Sequence, residues 1–514
     1  FVSLMPESTH VLMWVMSDRG IPRSYRMMQG FGVHTYRFVN ARGVSQFVKF
    51  HWTPRLGTHS LVWDEAVKIA GADSDFHRRD LWEAIEAGEY PEWELGVQVF
   101  SDADAENFSF DVLDATKIVP EELVPVQPLG RMVLDRNPDN FFAETGQVAF
   151  CVAHVVPGID FSNDPLLSGR IHSYIDTQIS RLGGPNFHEI PINGPVVPVH
   201  NNQRDGIHRQ AIPRGRVAYE PNSLGGGCPF QAGAKGFVSF PQPENGDKLR
   251  GKPEKFAEHY AQATLYWQSL ADWERNHLAG GFRFELSKVT VPAIRERMVA
   301  SLVNVSPDLA KAVADGLGIA VPKALPKAIA RAPKPEVMRS KALSLTAYPG
   351  AGGIRTRKVA MLVADGVAGK PLLALHKLLV AEGAVPSLIA PRLGAVSTSD
   401  GVALEASATL ENAPPVLFDA LVLPDGDAGV KRLAALGQTH EFVTNHYRHC
   451  KAMLALGASK ALLERAGISS KPGAGPQDAG VVVSAAADGA SAKRFIEALA
   501  AHRHPQRETD PPRV

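Results

Sequence analysis

Cysteine is scarce. Cys151, Cys228 and Cys450 are the only three in 514 residues, widely spaced and odd in number, which excludes a disulfide framework and leaves no pair with zinc-site spacing. That usage predicts a reducing, cytoplasmic setting. Long apolar runs are also missing: no window offers the ~18 residues that a spanning helix needs, and no charged-then-apolar leader precedes a cleavage site. A soluble protein without a membrane partner is expected. Neither charge is in excess, with 54 Lys and Arg against 54 Asp and Glu, so no overall field draws nucleic acid. There is no Gly-x-x-x-x-Gly-Lys-[ST] phosphate cradle and no dinucleotide fingerprint after a strand; LGGGCPFQAGAKG (224–236) reads as a flexible loop.

What is present divides the chain into several domains, in keeping with its length. HTYRFVN and VSQFVKFHW alternate apolar and polar residues around a short Ala-Arg-Gly turn and predict a β-hairpin, with His34, Tyr36 and Phe38 on one face. Residues 61–88 read as helices stopped by glycines, and residues 95–118 return to strand-like alternation. Strands interrupted by helices suit a β-barrel within an α+β domain, 1–113. From 114 to 240 the chain is rich in Pro, Gly and Asn with little periodicity. Helical spacing resumes over 241–317, and 318–355 is a Pro-, Lys- and Ala-rich linker. Residues 356–514 alternate apolar strands (KVAMLVADG, PSLIAP, ALVLPDG, KAMLALG) with helices, the pattern of a doubly wound parallel sheet.

One helix stands out inside the irregular stretch. In NDPLLSGRIHSYIDTQISRLGG, positions i, i+4, i+8 and i+11 put Arg170, Tyr174, Gln178 and Arg181 on one stripe. A neighbouring cation favours phenolate over phenol, and a phenolate is a hard anionic ligand suited to ferric iron. Taken alone, an Arg-x-x-x-Tyr pair is more often a solvated polar face.

The surrounding strings decide between these readings. LDRNPDNFFAETGQVAF, HVVPGIDFSNDPLL, RLGGPNFHEIPIN, QRDG, YEPNS and SDRGIPRSYRMMQGFGVHTYRFVN all resemble catalases, and the likeness runs from Phe1 to about Leu317. The helix is similar to their proximal haem signature. The C-terminal part resembles the flavodoxin-like, class I glutamine amidotransferase-like domain that large-subunit catalases carry. The resemblance implies a partial catalase β-barrel (1–113), a wrapping segment holding the proximal helix (114–240), a helical subdomain (241–317), the linker, and that last domain. It also implies a homotetramer with haem of b or d type that converts hydrogen peroxide to water and oxygen. Tyr174 would be the axial iron ligand. Arg170, His34 and Asp164 would form a chain of charge-assisted hydrogen bonds behind it, Arg181 would pair with a haem propionate, and Phe150, Leu166 and Ser173 would pack on the macrocycle. In catalases the distal histidine, distal asparagine and a further propionate arginine precede the segment matched to Phe1. This sequence therefore carries the proximal half of a haem site.

Three departures bear on function. His172 stands where the signature usually has Phe. Cys151 occupies a position that in some large-subunit catalases is a histidine bonded covalently to the ligand tyrosine, so a Cys151–Tyr174 thioether and a small packed thiol are both open. Two other readings of the whole also stay open: another tyrosine-ligated haem enzyme on the same fold, or an inactive assembly module. In the C-terminal domain, the turn where hydrolase relatives keep a cysteine nucleophile reads ALGAS, with Gly457 in the nucleophile's place. The domain is expected to be structural. Thiol- and serine-directed probes should leave residues 450–467 unlabelled in a peptide-mass experiment; stoichiometric labelling linked to activity would contradict this.

Overall fold

The computed structural model describes residues 1–196, 204–212, 214–217, 239–244, 246–247, 249–469 and 478–514. YEPNS, LGGGCPFQAGAKG and Cys228 lie outside the described residues.

Helix α1 (Thr9–Met16) leads into β1 (Gly30–Phe31), β2 (Tyr36–Val39) and β3 (Ser45–Pro54). The expected hairpin forms. β2 and β3 pair antiparallel with Tyr36 opposite Val48, and the turn uses Gly43 at φ 74°, a left-handed conformation that glycine tolerates. After α2 (Trp63–Ala72) and α3 (Phe76–Glu86), β4 (Glu92–Phe100) returns to pair with β3 along its length.

Here the strand-like alternation read over 95–118 ends early. Beyond Phe100 the chain forms a short helix, α4 (Asp102–Asn107), and then an unpaired run whose Phe110, Val112, Val119 and Val124 pack with Phe47 and Phe100. Alternate residues are buried there without a ladder. The irregular stretch in turn supplies two strands, β5 (Gln127–Val133) and β6 (Ile159–Phe161). The resulting open antiparallel sheet has the order β5-β4-β3-β2-β6, with β1 on β3. β6 hands the chain to α5 (Pro165–Leu182), the Arg170 helix.

Helices α6 (Ala261–Ser269), α7 (Asp272–Ser287), α8 (Pro292–Val303) and α9 (Pro307–Leu317) share an apolar core that includes Met13 of α1. The last part holds β7 (Lys358–Leu362), α10 (Gly369–Ala381), β8 (Val385–Ala390), the hairpin β9 (Gly394–Ser397) and β10 (Ala403–Ala406), and β11 (Ala408–Thr409). It continues with β12 (Ala420–Leu423), α11 (Asp427–Ala434), α12 (Gly437–Arg448), β13 (Ala452–Leu456), α13 (Lys460–Arg465), β14 (Val481–Ser484) and α14 (Gly489–Ala500). Its main sheet is parallel throughout, in the order β11-β8-β7-β12-β13-β14, with apolar clusters on both faces. Burial on both faces is why its strands read as continuous apolar runs. Among the described residues, no helix is long and apolar enough to cross a membrane.

At the turn after β13, Gly457 has φ 50°, and a Cβ placed there would lie 2.0 Å from Oδ1 of Asp425. That oxygen instead accepts the N–H groups of Gly426 and Ala458, at 2.8 and 2.9 Å. Ser459 is fully buried, its hydroxyl donated to the Pro424 carbonyl. A nucleophile has no room at this turn. Burial and the neighbouring Glu508 carboxylate push the Cys450 thiol well above its usual range, which leaves little thiolate for reaction.

Charges that pair only across sequence-distant parts hold this last unit to the rest. Arg23 donates to both oxygens of Asp419 at 2.5 and 2.8 Å. Glu65 of α2, 1 % exposed, receives Lys451 and Arg503, each at 2.6 Å. Burial opposes the charge on Glu65, but Arg503 and Lys451 outweigh it and hold its pKa down at about 2. His277 of α7 donates from one ring nitrogen to Asp18 at 2.9 Å and from the other to Glu508 at 2.8 Å. Burial opposes its charge too, yet the two carboxylates push its pKa up to about 10.

Two stability predictions follow from these pairs. Glu65→Gln strands the buried Lys451 and the partly covered Arg503 and should cost about 3–5 kcal/mol in urea unfolding; a loss below 1 kcal/mol would mean that they relax to water. The stabilisation from His277 should be complete below pH 6.5, its ordinary pKa, and disappear as pH rises through about 10, because the folded state then loses the proton it had held. The Tm gap between wild type and His277→Gln measures it, and a gap that widens with alkali would be inconsistent.

Candidate active site

Asp164 is the junction of the site. As N-cap of α5, before Pro165, it accepts the backbone N–H groups of Leu166 and Leu167 through Oδ1 at 2.8 and 3.0 Å. Its other oxygen, Oδ2, lies 2.5 Å from Nδ1 of His34. A carboxylate can only accept, so Nδ1 carries the proton of this hydrogen bond, and in the neutral ring Nε2 keeps a lone pair. Burial pushes the Asp164 pKa up, but the His34 hydrogen bond and the two backbone N–H groups outweigh it and hold the carboxyl below its usual range.

His34 itself is buried at the entry to β2. The residue before it, Val33, has φ 58°, a strained conformation for a β-branched side chain. Lys49 of β3 pins that turn by donating its ammonium to the Val33 carbonyl at 2.9 Å. Burial brings Lys49 down to about 8.

Along α5 the expected stripe forms. Arg170 and Tyr174 are half-buried and Gln178 is buried, while Arg181 near the C-terminus of the helix is exposed. Gln178 donates to the Phe150 carbonyl at 3.2 Å, which sets the neighbouring Cys151, free and half-buried, beside the helix one turn below Tyr174. Arg181 is already engaged, donating to the carbonyls of Gly146 and Val148 and to Gln178. Leu166 and Ser173, at helical angles adjoining Arg170, are exposed, as is Phe150. A polar and apolar shelf thus stands open alongside the phenol.

Of the expected Arg170–His34–Asp164 chain, the outer link is made and the inner one is not. Nε of Arg170 and Nε2 of His34 are both buried without a partner. One is a donor and the other an acceptor, so each could satisfy the other. Tyr36, which sequence reading noted only as a face-mate of His34, also belongs to this cluster. Burial raises its phenol, Asp164 adds to that, and Arg170 opposes it, while Tyr174 and Cys151 are within electrostatic reach. The residues present fit a haem: a phenol beside a guanidinium, buried nitrogens awaiting a partner, and exposed apolar side chains at the edge.

Comparison with known proteins agrees. The catalase family model matches residues 1–226, a model described as catalase-related immune-responsive matches 253–317, and one for the C-terminal domain found in long catalases matches 355–509. The chain belongs to the catalase family. It is 51% identical over 513 residues to Catalase HPII of Pseudomonas putida, covering 99% of this chain and 70% of that protein. It is 49% identical over 521 residues to Catalase HPII of Mycobacterium avium (99% and 72%) and 48% identical over 509 residues to Catalase-2 of Bacillus subtilis (98% and 71%). It is therefore similar to large-subunit haem catalases along nearly its whole length.

The cap and the link to His34 can be separated. Asp164→Ala should cost about 1–2 kcal/mol by removing the cap and should unmoor His34. Asp164→Asn keeps the cap and should recover most of that stability. Denaturant unfolding of the two variants checks this, and equal losses would contradict the double role.

Proposed function

We propose that Tyr174 is the axial iron ligand with which this haem catalase decomposes hydrogen peroxide, and that Arg170 stands beside it to favour the anionic oxygen. The observation that carries the reading is the pair of buried, unpartnered nitrogens on Arg170 and His34, on the side of α5 where Tyr174 also lies. Haem would supply the iron at which one peroxide is reduced to water and a second is oxidised to oxygen. The residues of this chain do the holding. Asp164 holds His34 through Nδ1, the free Nε2 of His34 would accept from the Arg170 guanidinium, and that guanidinium would keep positive charge against the phenolate. Phe150, Leu166 and Ser173 would pack against the macrocycle. Arg181 would meet a propionate with whatever N–H capacity the Gly146 and Val148 carbonyls leave it.

The haem is of b or d type, the assembly a homotetramer and the setting cytoplasmic. Exposed Phe141 and Phe142, 64% and 82% accessible, support burial against another copy. The domain limits are those given by the sequence, 1–113, 114–240, 241–317, 318–355 and 356–514. The last unit is flavodoxin-like, a reading supported by its parallel strand order.

Two states stay open for Cys151, a small packed thiol or a thioether to Tyr174, and the bond has a defined balance. One hydrogen leaves the thiol and one the tyrosine, and the two electrons reduce one peroxide to two waters. With the bond, intact mass falls by two hydrogens; a freely alkylatable Cys151 in haem-loaded protein would exclude the bond. For the ligand itself, Tyr174→Phe should lower haem content and peroxide turnover at least tenfold with the fold intact by circular dichroism. Retention of full haem occupancy and turnover would overturn the assignment.

A further inference from the structure

The overall balance of charge conceals a local asymmetry. After α9, residues 318–341 hold Lys323, Lys327, Arg331, Lys334, Arg339 and Lys341 against a single carboxylate, Glu336. All six cationic residues are exposed. Glu336 is occupied elsewhere, one oxygen accepting the Ser109 N–H and the other the Ser109 hydroxyl. None of the six forms an ion pair among the described residues. Lys327 lies over the Tyr260 ring, and Arg339 donates only to the Gln268 carbonyl.

This segment is fastened, not trailing. The Leu325 N–H donates to the Ala300 carbonyl, Asn304 donates to the Leu325 carbonyl, and the Ser340 N–H donates to the Ser269 hydroxyl. Leu325, Ile329 and Val337 are partly buried beneath it. Prolines at 322, 326, 333 and 335 hold the runs 321–327 and 332–335 out of regular structure, and the chain bends between them at 328–331. The result is a pinned basic ribbon whose charges have no internal partners.

We propose that this ribbon is a binding surface for the phosphate backbone of duplex nucleic acid, independent of base sequence. Three features select that partner. No Phe, Trp or Tyr interrupts the basic run, so there is no platform for stacking unpaired bases. Val321 and Met338 are the only large apolar side chains along it that stand well exposed, which gives a bilayer little to insert on. Carboxylates flank the ribbon: Glu122 accepts the Lys341 N–H, and α4, with Asp102, Asp104 and Glu106, lies just ahead of Ser109. A flat anionic membrane would bring all of those acids within a Debye length of its headgroups, whereas a rod laid along the cations meets fewer of them. The consequence is a peroxide-removing enzyme held by electrostatics at the polymer that peroxide chemistry damages.

The test is fluorescence anisotropy of a labelled duplex with the haem-loaded full chain, between about 50 and 200 mM salt. Binding should weaken with a log–log slope between about −3.5 and −5.5, the counterion release expected for four to six phosphate contacts. The K323E/K327E/R331E/K334E variant should bind at least tenfold more weakly at low salt while keeping wild-type peroxide turnover and Tm. No binding at the lowest salt would overturn the proposal. So would equal binding by the variant, or tighter binding to phosphatidylglycerol vesicles than to duplex.

Discussion

One carboxylate ties together the two elements on which the proposed haem site is built. Asp164 closes the first turn of α5 with one oxygen and holds the His34 ring with the other. Helix and strand are thereby locked in one relative position, and the positions of Arg170 and Tyr174 follow from it at helical spacing. Because the carboxylate orients His34 through Nδ1, the Nε2 lone pair remains for the guanidinium. The direction of the one link that is made is thereby set, while Nε of Arg170 and Nε2 of His34 each stay buried without a partner.

The same economy appears where the C-terminal unit meets the rest. Its parallel sheet resembles those that carry hydrolytic nucleophiles, but Asp425 fills the space a side chain at Gly457 would need and takes up the amides there. What the unit does contribute is a buried Lys451 and a largely covered Arg503 that neutralise Glu65 on α2, together with Asp419, which neutralises Arg23. Pairs of this kind add little net stability compared with apolar packing, yet separating them is costly. They make the position of the C-terminal unit specific, and they bind it to the segment leading into the site.

Much of this was legible in the sequence wherever a period reported burial: the β2–β3 hairpin, the two helices within 61–88 (although Gly71 falls inside α2 and does not stop it), the βαβ run and the Arg170 stripe. The failures have physical causes. Phe108, Phe110 and Val112 alternate because alternate side chains pack toward Phe47 and Phe100, and alternation cannot distinguish that from ladder pairing. β5 was hidden by Pro128 and Gly130, which an edge strand accommodates, here opposite the irregularity at Leu95 and Gly96. Tyr36 and Lys49 gave no signal of their own, since their roles come from what the neighbouring strand and helix place against them. The Glu65–Lys451 pair spans too much sequence for any local pattern to record.

Resonance Raman spectroscopy of the haem-loaded ferric protein, prepared with ring-deuterated tyrosine, tests the central claim most directly. Iron bound by the Tyr174 oxygen predicts phenolate-ligand modes that shift on deuteration and vanish in Tyr174→Phe. Ligand modes insensitive to tyrosine labelling, or unchanged in that variant, would contradict it.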